Sequence, residues 1–154
     1  LSTPYATTAD VQARYPRDAA LLCADETTRQ PDWARFDAAL SDVSMEIRII
    51  LQGRYTPAEL ADLDAESLGA LKVFAIDMSM YRVAVAFARS TERLEKNYQN
   101  AVTRLEGIAK GRGGLTFNAT AGSGGSVDGE DVSSSPGEAI IVAPERMFTR
   151  DTMG

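Results

Sequence analysis

The chain has 154 residues and a mass of 16.6 kDa, with 44% apolar and 25% charged residues; these proportions exclude wholesale disorder and suit one packed domain with an appendage. A formal net charge of −6 offers no long-range attraction to nucleic acid, whose affinity rests largely on phosphate neutralisation. No apolar run approaches the roughly eighteen residues needed to cross a bilayer, so neither sequence-specific DNA binding nor a membrane is expected.

The first predicted element follows Thr7, whose hydroxyl and Asp10 three residues later form a capping pattern. Pro16 stops that helix near Tyr15, because the residue before a proline avoids the helical basin. Ala19–Ala24 makes one or two further turns, and the polar run "DETTRQPD" is a loop. Cys23 is the single cysteine, so no internal disulfide exists, and its apolar neighbours predict a small buried side chain in a reducing interior.

Asp32 caps the first long helix, which runs to about Gln52. Its apolar stripe is Phe36, Leu40, Val43, Ile47, Ile50 and Leu51, and Gly53 ends it. Arg54 and Tyr55 follow directly. They are read as an anchor for the helix end, with Tyr55 burying its ring and reaching a polar partner through its hydroxyl, or alternatively as interface residues. Thr56, Pro57 and Glu59 then spell a helix start with cap, first-turn proline and capping-box acid.

The next helix begins near Ala65 and is apolar on nearly every face, which predicts the centre of a bundle. Phe74 and Tyr81 are expected core positions, and Gly69 with Ala70 a close helix crossing. Asp77 and Arg82, five apart, do not face each other on one helix; each is expected to pair elsewhere, Arg48 and Glu46 being candidates. The last helix runs from about Thr91 to Lys110, with Leu94, Tyr98, Ala101, Val102, Leu105 and Ile108 as its stripe, and "GRGG" at 111–114 terminates it.

The predicted organisation is a helical body, residues 1–114, followed by an extended glycine- and serine-rich arm, residues 115–154. The fold class is mainly α: a small bundle whose arm has room for a short β-hairpin between Leu115–Phe117 and residues 139–142. The arm holds six acids against Arg146 and Arg150, a net of −4 that leaves −2 for the body. It ends in Ile140, Ile141, Val142, Met147 and Phe148, an apolar set on a tether, which is a physical recipe for docking on a partner.

With no histidine and one cysteine, Cys/His zinc sites and histidine-dependent nucleophilic machinery are excluded. The cluster Asp128, Glu130 and Asp131 lacks the spacing of a calcium loop, and "GSGGSVDG" lacks the ending of a phosphate loop. No catalytic, cofactor-binding or metal-binding residues are expected, and no enzyme. The opening residues lack the pattern of a secretory leader, so secretion is not expected.

Several stretches together carry a resemblance: "YATTADVQARYP", "FDAALSDVSMEIRIILQGRYTPA", "KVFAIDMSMYRVAV", "NYQNAVTRLEGIAKGRGGL" and "RMFTRD". The chain resembles the small proteins encoded in the structural-gene region of Mu-like phages and prophages. Its helical layout more distantly resembles head–tail adaptor (connector) proteins of tailed phages. The resemblance implies a ring, typically of twelve subunits, below the portal protein, with DNA passing through its channel without sequence-specific contacts. It also implies a virion-neck location after assembly in the host cytoplasm, and a tail terminator or other neck protein as the next partner. On that basis the interface candidates are Arg54, Tyr55, Ile140, Ile141, Val142, Arg146, Met147, Phe148 and Arg150. The alternatives are another neck protein, such as a tail terminator or assembly factor, and a monomeric DNA-binding helical module.

Overall fold

A computed structural model describes residues 3–118, and the protein is mainly helical. Among these residues are six helices: α1 (Thr8–Arg14), α2 (Asp18–Leu22), α3 (Trp33–Leu51), α4 (Pro57–Ala61), α5 (Ala65–Ala86) and α6 (Glu92–Ala109). Helices α3, α5 and α6 pack against one another as the core, with α1 laid on α3 and α2 on α5.

The helix starts follow local chemistry. Thr7 and Asp10 close a reciprocal capping box on α1, and Thr56 and Glu59 do the same on α4 with Pro57 at the first position. Asp32, Asp64 and Thr91 cap α3, α5 and α6, each side chain accepting the backbone N–H three residues on. Helix α2 ends at Leu22, two residues short of the expected Ala24, because Ala24 instead bridges to Pro31. That bridge closes the polar loop, whose Asp25 carboxylate accepts the N–H groups of Thr27 and Thr28.

Two helix ends use one device with different residues. After α6, Gly111 takes φ 82°; its N–H bonds the carbonyl of Ile108, and Arg112 N–H bonds that of Gly107. After α5, Ala88 takes φ 54°; its N–H bonds the carbonyl of Val85, and Arg89 N–H bonds that of Ala84. Both are Schellman turns, which want glycine at the left-handed position. The turn after α5 aims Arg89 at the end of α2, where its guanidinium donates to the carbonyls of Leu21, Leu22 and Ala24 at 2.9, 3.1 and 2.8 Å.

The core contains Phe36, Leu40, Val43, Ile47 and Leu51 of α3, Leu71, Ala75, Met78, Met80 and Val83 of α5, and Leu94, Ala101 and Leu105 of α6. Cys23 is fully buried, and burial pushes its thiol pKa up. Two expectations for α5 need correction. Phe74 and Tyr81 lie at the margin of the core, half-buried. Gly69 and Ala70 are exposed, with open space around Gly69, so no helix among the described residues crosses there. A helix apolar all round gives no periodic signal for which face turns inward.

The two polar residues of α5 pair with different elements. Arg82 donates to Glu46 at 2.6 Å, and the Tyr98 hydroxyl donates to the same carboxylate at 2.8 Å. Asp77 instead accepts the Tyr15 hydroxyl at 3.1 Å. Arg48 reaches the carbonyl of Thr3 and lies over the Tyr5 ring. No helix among the described residues is long and apolar enough to cross a membrane.

Candidate functional site

The body meets the C-terminal arm where α3 ends, α4 turns into α5, and the chain leaves α6. Gly53, Arg54 and Tyr55 leave α3 in a tight turn, their N–H groups bonded back to Ile50 and Leu51. That turn delivers Tyr55 into the body, where it is only 8% exposed. Its hydroxyl accepts the N–H of Leu115 at 3.1 Å, and its ring meets that of Phe117 with centroids 5.6 Å apart. Leu115 is itself buried.

Arg54 holds the same crossing from outside. Its guanidinium donates to the carbonyls of Gly113 at 2.7 Å and Ile108 at 3.3 Å, and stacks over the Tyr55 ring at 5.3 Å. The Ile108 carbonyl belongs to the last turn of α6, where partial negative charge collects and carbonyls lack intrahelical donors. Arg54 therefore caps α6 from another element.

The residues after the glycine turn lie along the connection between α4 and α5. Leu63 and Phe117 form an antiparallel bridge, with Asp64 N–H donating to Thr116 carbonyl at 3.1 Å and Asn118 N–H to Asp62 carbonyl at 2.9 Å. Side chains reinforce it. Ser67 Oγ accepts Thr116 N–H at 2.8 Å, Thr116 Oγ1 donates to the Asp64 carboxylate, and Asn118 Nδ2 donates to the Leu63 carbonyl at 3.0 Å. The Thr116 hydroxyl and the Ser67 N–H hold the Asp64 carboxyl below its usual pKa range. Residues 115–118 thus pack on the body, beyond the boundary that the glycine turn suggests. Among the described residues Phe117 bridges to Leu63; its expected pairing with 139–142 lies outside them.

Of the interface candidates, Arg54 and Tyr55 come together here and are engaged within the body. Ile140, Ile141, Val142, Arg146, Met147, Phe148 and Arg150 lie outside the described residues. Sequence reasoning missed Asp64, Ser67 and Asn118; Thr116 and Phe117 were expected in a short strand, with residues 139–142 as its partner. The one available signal was Asp64 three residues before Ser67, a cap pattern at the start of α5.

A second surface lies between α3 and α6. Met45 and Ile49 of α3 are 55% and 66% exposed, and Ile50 and Val102 floor the shallow groove beside them. Its rim carries Asp42, Glu46 and Glu106. Glu46 is paired with Arg82, and Glu106 with Lys110 at the surface, while Asp42 makes no ion pair among the described residues. A larger groove beside α4, lined by Leu60 and Leu68, has Arg48 and Lys72 at its rim, Lys72 being paired with Asp10.

The family model described as Bacteriophage Mu, Gp36 matches residues 5–132, most of the chain. No curated protein matches it. The chain belongs to the Gp36 family of bacteriophage Mu, and so is a Mu-like phage protein.

Proposed function

We propose that this member of the Mu Gp36 family, a phage structural or morphogenesis protein, is a non-enzymatic head–tail connector subunit. In this role copies assemble as a ring below the portal protein, twelve by resemblance to adaptor proteins. The ring extends the channel through which DNA passes and presents a platform to the next neck or tail protein. The virion neck is the corresponding location.

The observation that carries this reading is the anchored arm root. Tyr55, Arg54, Asp64 and Ser67 fix residues 115–118 to a rigid helical corner, so the arm starts from a defined point. A fixed origin, a glycine- and serine-rich spacer and an apolar terminal set suit a protein that joins copies of itself or neighbours. The net charge of −6 suits a channel wall past which DNA slides.

Particle mass by light scattering tests the proposal, with the protein mixed with its cognate portal ring and each component alone. A gain of about twelve subunits per portal is the expected result. No gain, with the protein remaining monomeric, overturns it and moves a tail-terminator or assembly-factor role ahead. Tight, salt-sensitive binding of the isolated protein to linear duplex would favour a DNA-binding module instead.

A further inference from the structure

We propose that the α3 face carrying Asp42, Met45 and Ile49 docks into the groove beside α4 of a second copy of this chain, with Asp42 of one copy against Arg48 of the next. This inference rests on the connector reading and names the contact that joins neighbouring copies. Met45 and Ile49 are 55% and 66% exposed. With the exposed Asp42 they stand at i, i+3 and i+7 on one face of α3, the spacing by which a helix seats its anchors in a groove. Two large apolar side chains standing together in water mark an interaction surface more often than scattered ones do.

A second copy is the occupant because this chain carries both matching pieces. The groove beside α4 holds about 970 Å³ and is lined by Leu60, Ala61, Ala65 and Leu68. That volume lies in the range of about 300–1,000 Å³ that takes in a whole small ligand, so it has room for the Met45 and Ile49 side chains. At its rim Lys72 is taken by Asp10. Arg48 has no carboxylate partner among the described residues; it donates to the Thr3 carbonyl and lies over the Tyr5 ring. On the docking face Glu46 is taken by Arg82 and Glu106 by Lys110, which leaves Asp42 as the acid without an ion pair there among the described residues. Each face thus keeps one unpaired charge, of opposite sign. At about 100° per residue, Arg48 stands about 60–120° around α3 from Asp42, Met45 and Ile49, so face and groove open on different flanks and one copy uses both. A contact between two unlike faces is head-to-tail, and it repeats from copy to copy until it closes as a ring.

The test reads particle mass by light scattering for full-length chains, alone and with the cognate portal ring, beside circular dichroism. Asp42→Arg and Arg48→Asp should each raise the concentration needed for assembly by about tenfold or more, and Ile49→Asp should do the same. Leu21→Asp, at a site 70% exposed on α2, should assemble as the native chain does. An equimolar mixture of Asp42→Arg and Arg48→Asp chains should regain most of the native assembly, because every junction between alternating copies again opposes unlike charges. Native assembly by Asp42→Arg and Ile49→Asp overturns the inference, and these two carry the test if Arg48→Asp loses helix. Folded variants that fail alone and stay apart when mixed overturn the pairing of Asp42 with Arg48 and give these faces to the portal protein. Growth that stops at a dimer overturns the head-to-tail arrangement. Rings indifferent to all three changes sink this contact and leave the connector role standing. Association of the chain alone that follows the expected pattern, with no gain on the portal, keeps the contact and sinks the connector role; no association in either setting sinks both.

Discussion

The Tyr55 hydroxyl accepts the N–H of Leu115, sixty positions further along the chain, in a bond buried within the body. One side chain at the end of α3 thereby fixes the backbone at the point where the arm begins. Tyr55→Phe keeps the ring contact with Phe117 and leaves a buried donor without its acceptor, which costs about 1–2 kcal/mol. Urea denaturation reads that loss, and hydrogen exchange reads its place. The Leu115 amide should exchange faster while amides in the middle of α5 change little. Unchanged exchange at Leu115 would mean that the hydroxyl does not hold the arm root.

Ala88 occupies a left-handed position, φ 54°, that its counterpart Gly111 occupies with φ 82°. A Cβ there costs on the order of 1 kcal/mol, partly offset on glycine substitution by the freer unfolded chain. Ala88→Gly is therefore expected to stabilise the protein by about 0.5 kcal/mol, and Gly111→Ala to destabilise it by about 1 kcal/mol. The midpoints of chemical denaturation check both signs. A loss of stability in Ala88→Gly would show that the turn after α5 tolerates alanine without strain.

These two sites also mark what was legible in the sequence. The helices that begin at Thr8, Trp33 and Pro57 could be read because each cap is a contact within three residues, written in adjacent letters. The stripes of α3 and α6 could be read because one face is apolar and the other polar. Helix α5 has no such contrast, so Phe74 and Tyr81 were expected deeper than they lie, and Gly69 was expected at a crossing that no described helix makes. Arg54 was recognisable as an anchor, yet its acceptors on Ile108 and Gly113 come from packing that no local pattern encodes. Glu46 as the partner of Arg82 was within reach because α3 and α5 were already expected to pack.

Asp10 carries the clearest acid dependence. The Lys72 ammonium, followed by the Thr7 hydroxyl and N–H, lowers its pKa from 3.8 to about 2. The folded carboxyl is the stronger acid, so its contribution is present above the unfolded value, near pH 4, and is lost as pH falls through about 2. The pair is partly exposed, so the effect is modest and screened by salt. Urea midpoints for the native chain and Asp10→Asn should differ at pH 7 and converge as the pH approaches 2. A difference independent of pH would show that the Asp10 charge, through Lys72 and Thr7 alike, contributes nothing to stability.

The last prediction separates folding from assembly. The six helices of the body are capped and packed by residues up to Asn118, whereas Arg146 and Phe148 lie far beyond that point in the sequence. Phe148→Ala removes a large apolar surface from the arm, and Arg146→Glu reverses a charge there. Both should leave helical content unchanged and shift the denaturation midpoint by no more than an ordinary surface substitution, within about 0.5 kcal/mol. Both should weaken assembly, Phe148→Ala through lost apolar burial. Arg146→Glu should do so through repulsion that eases as salt is raised. Particle incorporation measured beside circular dichroism tells the cases apart. Folded variants that enter particles normally would remove these residues from the interface, while variants that lose helix would show that the body depends on its arm.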